Sequence, residues 1–213
     1  MLNDYLDNLY NKKPTEQLNK IIPFFDYGNI NNSVVEIHGR HSSGKTTLIY
    51  EYIREYQNEL DIHLINTDYK LDIEYLTHRV GKQSEFFISQ TNDLQQLTQS
   101  VLTSLDLFDV IIIDSLGVFD YTQALRLLST IHPRLVKSNS ALILTNQMRA
   151  DIRRRRLKPF ADDYLNELTV LRFNCRHKTL VKKDWVIEGK IVSAQVIKNL
   201  LSTNYKSKEM RIV

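Results

Sequence analysis

The feature that most constrains the fold is a glycine-rich segment that lies between a strand pattern and a helix pattern. Residues 34–48 read VVEIHGRHSSGKTTL, and apolar side chains continue at helical spacing as far as Ile53. A Gly-x-x-x-x-Gly-Lys-Thr loop in this setting turns backbone N–H groups toward one phosphate, while its lysine reaches the outer phosphates and its threonine can bind magnesium. A fortuitous glycine turn is the alternative. The loop residues expected to contact a nucleotide are Gly39, Arg40, His41, Ser42, Ser43, Gly44, Lys45, Thr46 and Thr47.

Composition narrows the class of protein. The chain has 213 residues, of which 42% are hydrophobic and 25% charged, and this is ordinary for one globular domain. Cys175 is the only cysteine, so an internal disulfide and a multi-thiolate metal site are excluded. No apolar run approaches the length that crosses a bilayer, and we therefore expect no membrane association and an intracellular protein, in the nucleus if the source is eukaryotic and otherwise in the cytoplasm.

From the glycine-rich loop onward, strand and helix patterns alternate. Such alternation predicts an α/β fold with a mostly parallel twisted sheet that carries helices on both faces. After about Leu168 the strand patterns follow one another without helices, and Glu188-Gly189 resembles a hairpin turn, which predicts a C-terminal antiparallel β extension. The predicted strands are 62–66, 86–89, 110–113, 141–146, 169–175, 185–187, 191–197 and 210–213, and the predicted helices are 73–80, 94–105 and 121–136.

Residues 1–32 are predicted to form a short helical prefix, and residues 33–213 the core domain. Leu2, Tyr5, Leu6 and Leu9 recur at helical spacing, and a second short helix is expected over residues 15–22. Two roles are open for the first helix, because its apolar side chains could contact a neighbouring subunit or cover their own core.

A second chemical signal is an aliphatic strand that ends in a carboxylate. Residues 108–115 read FDVIIIDS, so Asp114 is expected at the carboxyl edge of the sheet, where the phosphate loop also lies. There its carboxylate can hold a magnesium-bound water beside Thr46. A simple helix cap is the alternative role for Asp114.

Four motifs in this order carry a family resemblance: VVEIHGRHSSGKTTL, HLINTDYKLDIEYL, FDVIIIDSLGVF and ALILTNQMR. Together they resemble the ATPase core of the RecA/RadA recombinase superfamily. The short length and the Thr67-Asp68-Tyr69 sequence resemble the eukaryotic recombinase paralogues of the X-ray-repair cross-complementing kind. The resemblance implies a RecA-like P-loop NTPase core that binds ATP with Mg²⁺.

The resemblance also implies roles for single residues. Asp68 would polarise the attacking water, although recombinases usually carry glutamate there, so ATP binding is expected more firmly than brisk hydrolysis. Asp72 would meet the adenine amino group and Tyr75 would stack on the ring. Gln147 would sense the terminal phosphate and pass its state to a DNA-binding loop. Helix capping by Asp68 or Asp72 and ordinary packing of Tyr75 are the alternatives.

A basic run follows Gln147 at the place where recombinases carry a DNA-contacting loop. Counterion release gives such a run affinity for nucleic acid, but a solvated surface, a nuclear-import signal and a partner-binding patch are alternatives. Phe160 is a weak candidate for base stacking. A second basic concentration, residues 172–183, could extend the same groove, and Lys198 could reach a neighbouring nucleotide. The predicted DNA-binding residues are Arg149, Arg153, Arg154, Arg155, Arg156 and Lys158.

The resulting hypothesis is an ATP-binding, DNA-binding recombinase paralogue that assists homologous recombination and DNA repair within a complex. Weak DNA-dependent ATPase activity is expected, and strand exchange by this chain alone is not, because the segment between Asp114 and Gln147 contains no glycine-rich insert. The expected partners are single-stranded or branched DNA and other RecA-like paralogue subunits or a recombinase. The alternatives are a nucleotide-bound assembly factor without turnover and a RecA-like helicase or clock-type ATPase.

Overall fold

The computed structural model describes residues 21–81, 86–151, 155–183, 186–203 and 206–212. The first predicted helix of the N-terminal prefix therefore lies outside the described residues, and so does most of the second. Ile21 and Ile22, the last two residues of the second predicted helix, are described and are not helical. Residues 153, 154 and 185 also lie outside the described part.

One sheet organises the molecule. Its strands are β1 Val34–Gly39, β2 Ile62–Asn66, β3 Phe87–Gln90, β4 Val110–Asp114, β5 Ala141–Asp151, β6 Arg156–Pro159, β7 Thr169–Lys183, β8 Val186–Asn199 and β9 Lys208–Ile212. Their spatial order is β3-β2-β4-β5-β1-β7-β8-β9, and β6 pairs only with β5. The pairs from β3 to β7 are parallel, whereas β5–β6, β7–β8 and β8–β9 are antiparallel. The predicted parallel sheet with an antiparallel C-terminal extension is confirmed.

Helices cover both faces of this sheet. They are α1 Lys45–Tyr56, α2 Ile73–Val80, α3 Leu94–Ser104, α4 Tyr121–Leu135 and α5 Asp162–Leu168. Three of them begin at an aspartate whose carboxylate accepts a hydrogen bond from a backbone N–H of the first turn: Asp72, Asp93 and Asp120. None of the helices that the structure describes is long and apolar enough to cross a membrane.

The core has two layers because side chains alternate along β1. Val35 and Ile37 pack with α1, α2 and residues 22–30 on one face, while Val34 packs with α3, α4 and α5 on the other. Phe24 stacks on Tyr52 of α1 with ring centroids 5.1 Å apart, so the segment before β1 is part of this core.

The predicted hairpin turn at Glu188-Gly189 is wrong. Gly189 lies inside β8 and pairs with Val181, whereas the next residue of β7 pairs with Ile187, so Glu188 is an extra residue in the ladder. A glycine inside a strand commonly marks such a β-bulge. Lys183 pairs with Val186, and residues 184–185 between them lie outside the described part.

Candidate functional site

The glycine-rich segment forms a loop, residues 39–46, that connects β1 to α1; we call it the phosphate loop. Gly44 has φ 91°, a left-handed conformation that side chains disfavour, and a Cβ there would approach Val192 of β8 to 2.6 Å. Lys45 begins α1, and its ammonium donates hydrogen bonds to the carbonyls of Gly39 at 3.3 Å and Arg40 at 3.0 Å. Burial lowers the pKa of Lys45, while the neighbouring Asp114 opposes that shift. The loop is thus held around a partly buried cation.

Asp114 ends β4 beside this loop. Its carboxylate accepts a hydrogen bond from Thr46 Oγ1 at 2.8 Å and a short one from the hydroxyl of Thr145. Burial raises the pKa of Asp114, and the two hydroxyl donors act in the opposite direction. Ser115 and Asp120 occupy the N-cap positions of the 3₁₀ turn and the helix that follow β4, so Asp114 caps neither of them. The structure therefore places Asp114 and Thr46 side by side, as predicted.

A cavity of about 280 Å³ opens between the phosphate loop and the carboxyl ends of β2, β4 and β5. We call it the loop cavity. Three polar atoms of its lining residues, Ser43 Oγ, Asn66 Oδ1 and Ser115 Oγ, are buried without a hydrogen-bond partner among the described residues. Its lining consists of His41, Ser42, Ser43, Gly44, Lys45, Thr46, Thr47, Tyr50, Asn66, Asp68, Lys70, Leu71, Asp114, Ser115 and Gln147.

The lining suits a magnesium triphosphate. It offers unpaired polar atoms, the ammonium of Lys45, and a threonine hydroxyl beside a carboxylate. Mg²⁺ is commonly bound by one or two protein oxygens together with phosphates and water. No group of three His, Cys, Asp or Glu side chains in the part of the chain that the structure describes could hold a metal on its own. A metal here would therefore need oxygens from the phosphates. Gly39 and Arg40, which were also predicted to contact the nucleotide, do not line the loop cavity.

Asp68 follows β2 and lines the loop cavity. Its Oδ1 accepts hydrogen bonds from Asn66 Nδ2 and from the Lys70 backbone N–H, both at 3.2 Å. The helix-cap alternative does not apply to Asp68, because α2 begins later and is capped by Asp72. The carboxylate is thus held at the cavity by the turn that follows β2.

Asp72 caps helix α2 and Tyr75 packs against another ring, which are the alternative roles given for them above. Asp72 accepts a hydrogen bond from the Tyr75 backbone N–H at 2.9 Å, and the Tyr75 ring lies 5.9 Å from that of Tyr50. Neither residue lines the loop cavity, although Tyr50 does. Their adenine contacts stay predictions.

Gln147 connects the loop cavity to the basic run. It lies in β5, which continues without interruption to Asp151 and then returns as β6, so the basic run forms an antiparallel hairpin. The side chain of Asn146 holds the base of this hairpin: its Nδ2 donates to the Phe160 carbonyl at 2.7 Å and to Glu36 Oε1 at 2.6 Å, and its Oδ1 accepts from the Gln147 N–H at 2.9 Å. The predicted DNA-contacting loop therefore has a paired stem.

The predicted DNA-binding residues have different environments. Arg149 donates to the carbonyls of Gly117 at 3.0 Å and Phe119 at 3.1 Å, and its guanidinium lies 3.8 Å from the centroid of the Phe160 ring. Phe160 is only 5% exposed, so its ring is not free for base stacking in this arrangement. Lys158 lies 3.3 Å from the carboxylate of Asp163. Arg155 is exposed, Arg156 pairs with Asp151 through its backbone, and Arg153 and Arg154 lie outside the described residues.

Comparison with known proteins identifies the family. Residues 26–213 match the model of the RecA N-terminal domain. The chain belongs to this family. It is 30% identical to Protein RecA of Colwellia psychrerythraea over an alignment that covers 84% of this chain and 59% of that protein. It is also 28% identical to Protein RecA of Desulforapulum autotrophicum and 27% identical to that of Delftia acidovorans, of which it spans 58% and 55%.

The RecA family supports the assignment to the RecA/RadA superfamily, and the described fold is that of a RecA-like core. The chain spans less than two thirds of the length of these RecA relatives. The closer resemblance to the eukaryotic recombinase paralogues stays a prediction.

The second basic concentration is not one surface. Arg172 is 4% exposed and forms ion pairs with Glu36 and Asp162, so it belongs to the interior of this RecA-like core and does not extend a groove. Arg176 is exposed, and the side chains of residues 177–183 lie outside the described part. Lys198 donates to the carbonyl of Asn166 at 2.5 Å.

Sequence reasoning missed several residues that line the loop cavity. Each lies at the end of a strand, shortly after one, or in the first turns of α1. Such positions are the sequence signal that could have indicated them. These residues are Tyr50, Asn66, Lys70, Leu71 and Ser115.

Proposed function

We propose that this chain binds ATP with Mg²⁺ in the loop cavity, contacts DNA through the β5–β6 hairpin, and assists homologous recombination within a complex of RecA-like subunits. Residues 33–213 would form the ATPase core and residues 1–32 an N-terminal prefix, of which residues 22–30 pack into that core. In this proposal Lys45 binds the outer phosphates, Thr46 and Asp114 hold the metal, Asp68 orients water, and Gln147 responds to the terminal phosphate.

The observation that carries the proposal is the hydrogen bond of 2.8 Å between Thr46 and Asp114 at the mouth of a loop that also holds Lys45. It unites a metal-binding hydroxyl, a carboxylate and a phosphate-binding ammonium in one cavity. The bound metal would neutralise negative charge on the phosphates. Thr145 orients the Asp114 carboxylate toward that position by donating to its other oxygen.

The coupling to DNA is supported by the continuity of β5. The strand carries Gln147 at the loop cavity and enters the basic hairpin at the next residue. A shift of Gln147 would therefore move the hairpin stem. The membership of the chain in the RecA family supports a role in recombination.

A second candidate is an assembly factor that binds nucleotide without useful turnover. It is favoured by Asp68, because this side chain is one methylene shorter than glutamate and its Oδ1 already accepts two hydrogen bonds. A base that is displaced by about an ångström can lose on the order of a hundredfold in rate.

Calorimetry with MgATP tests the nucleotide part. Replacing Lys45 by Ala should abolish measurable binding, whereas Lys137→Ala, which removes an exposed lysine beyond α4, should leave the affinity as in the wild type. Absence of heat with the wild-type protein, or equal binding by both variants, would contradict the proposal.

Single-turnover hydrolysis, measured with and without a single-stranded oligonucleotide, separates the two candidates. An ATPase predicts hydrolysis that the oligonucleotide stimulates and that Asp68→Asn removes. A background rate that neither the oligonucleotide nor Asp68→Asn changes, in a protein that still binds MgATP, favours the assembly factor.

A further inference from the structure

A second cavity lies on the other side of the phosphate loop. It measures about 750 Å³ and is formed by the phosphate loop, the β5–β6 hairpin and the end of β7. We call it the arginine cavity, because Arg40, Arg155 and Arg176, one from each of these three elements, contribute to its lining. Arg40 was predicted to contact the nucleotide, but it lines this cavity and not the loop cavity.

The charge of the arginine cavity is uniform. All three arginines are exposed, none forms an ion pair with a carboxylate of the described residues, and the lining contains no acidic side chain. Cys175 also lines it, and burial raises the pKa of its thiol to about 12, so the thiol carries no negative charge at neutral pH. A cavity with three unneutralised guanidinium groups favours a phosphate-bearing ligand.

One arginine is already oriented. With the Asn174 amide turned so that its oxygen faces Arg176, that oxygen accepts hydrogen bonds from Nε at 3.0 Å and from Nη2 at 2.8 Å. The guanidinium group is then fixed on one side, which reduces the entropy lost when its remaining N–H groups bind an anion.

Ser43 is the second indication of a ligand. It is 2% exposed, its hydroxyl has no hydrogen-bond partner among the described residues, and it lines both the loop cavity and the arginine cavity. A buried hydroxyl without a partner is costly, and a bound phosphate oxygen would satisfy it.

The remaining lining residues favour a nucleic acid over a free anion. Met148 and Leu157 from the hairpin add apolar surface, and Leu157 is 41% exposed. Basic side chains beside apolar surface suit a single strand, whose phosphates and bases alternate.

We propose that the arginine cavity binds a backbone phosphate of single-stranded DNA through Arg40, Arg155 and Arg176. The phosphate loop would then contact ATP on one face and DNA on the other. This inference rests on the proposed function. It adds Arg40 and Arg176 to the DNA contacts, which the proposed function places in the hairpin alone.

The test is the salt dependence of binding of the full chain to a labelled single-stranded oligonucleotide, measured by fluorescence anisotropy with and without MgATP. Arg40→Gln and Arg176→Gln should each reduce the slope of log affinity against log salt by about 0.7, which corresponds to about an eightfold loss of affinity near about 50 mM salt. Arg40→Lys should retain the slope because it retains the charge. The matched control is Arg126→Gln on the exposed face of α4, which should behave as the wild type.

The outcomes separate this inference from the proposed function. If the wild-type protein does not bind the oligonucleotide, both fall. If the wild type binds and the Arg40 and Arg176 variants keep the slope of the control, only the inference falls, and the hairpin stays the DNA contact. An Arg40→Gln variant that loses MgATP affinity but keeps the salt slope would assign Arg40 to the nucleotide and also overturn the inference.

Discussion

Asp114, the carboxylate proposed to hold the metal, is buried, and its charge depends on its neighbours. Burial alone would favour its neutral form, and the hydroxyls of Thr46 and Thr145 and the ammonium of Lys45 favour the charged form. The net result is a raised pKa, so the carboxylate is more easily protonated than an ordinary aspartate. Since only the carboxylate can assist a magnesium ion, metal binding should weaken as the pH falls toward this pKa.

We therefore predict that MgATP affinity decreases on acidification at a higher pH than an ordinary aspartate would require. The nucleotide titrates in a similar range, so the quantity to measure is the ratio of wild-type to Asp114→Asn affinity at each pH, by calorimetry. This ratio should fall toward one as Asp114 becomes protonated. A ratio that is constant down to the ordinary range of aspartate would show that Asp114 does not titrate there.

His63 is a buried histidine that is kept neutral. Its Nδ1 lies 2.7 Å from Ser104 Oγ, and that hydroxyl donates to the Ser100 carbonyl at 2.7 Å, so Nδ1 must be the donor and Nε2 accepts from Ser89. Burial lowers the pKa of His63 to about 4. A protonated ring would lose the hydrogen bond that it accepts.

This lowered pKa predicts a loss of stability in mild acid. The unfolded chain takes up the proton near its ordinary pKa, whereas the folded chain does so only near about 4, so the contribution is complete above about pH 6.5 and is lost as the pH falls toward 4. The loss is at most about 3 kcal/mol. Urea unfolding at several pH values should show it in the wild type, and the difference between the wild type and His63→Gln should vary with pH over this range. A difference that is independent of pH would contradict the assignment.

At the scale of elements, the base of the β5–β6 hairpin is held by one amide. Asn146 bonds the two residues that flank the paired stem, Gln147 and Phe160, and also Glu36 of β1. Glu36 in turn is paired with Arg172 of β7, and its pKa is lowered despite burial, with His38 and Arg172 as the favourable neighbours. The position of the hairpin is therefore tied to the strand that leads into the phosphate loop.

Replacing Asn146 by Ala should lower the free energy of unfolding by about 2 to 4 kcal/mol, because a buried carboxylate oxygen and a buried carbonyl lose their donor. Asn146→Asp keeps the size but presents an acceptor to Glu36, so its loss should be at least as large. Urea unfolding measures both, with Arg126→Ala on α4 as a neutral control. Losses within about 0.5 kcal/mol of the control would show that the amide does not hold the hairpin.

Prediction from sequence succeeded where one periodicity dominated. The apolar runs of β2 and β4 and the capped helix α2 were found with nearly correct ends, because burial on both faces or a clear cap leaves few alternatives. The stem of the hairpin was missed because its two strands are rich in basic residues, which are not typical of strands. Arg149, for example, pairs with Lys158 across the stem. The role of Arg172 was also missed, because its partner Glu36 lies 136 residues away in sequence.

At the scale of the whole molecule, the antiparallel extension contacts the phosphate loop. Val192 of β8 is fully buried, and its side chain lies against the position that a Cβ of Gly44 would occupy. In chain order, more than two thirds of the described helices and strands lie between the phosphate loop and β8. Val196, on the same strand, is buried in the same apolar cluster. The two valines allow packing on the loop to be separated from packing in general.

Val192→Ala and Val196→Ala should each reduce the free energy of unfolding by about 1 to 3 kcal/mol, since both remove buried methyl groups. Only Val192→Ala should also weaken MgATP binding, because it leaves a gap beside Gly44 and allows the loop to move. Thermal unfolding and MgATP calorimetry on the same two variants check this. Equal MgATP affinities would mean that β8 stabilises the fold without supporting the loop.

The contact between Val192 and Gly44 has a consequence for how this chain can change. A strand outside the parallel part of a sheet usually tolerates a wide choice of side-chain sizes. Here, however, a larger residue at position 192 would clash with the backbone of Gly44. A larger residue at position 44 would clash with Val192 in the same way. Laboratory selection for nucleotide binding should therefore retain side chains about the size of valine at position 192 and reject bulkier ones, although no nucleotide contact is proposed for this residue.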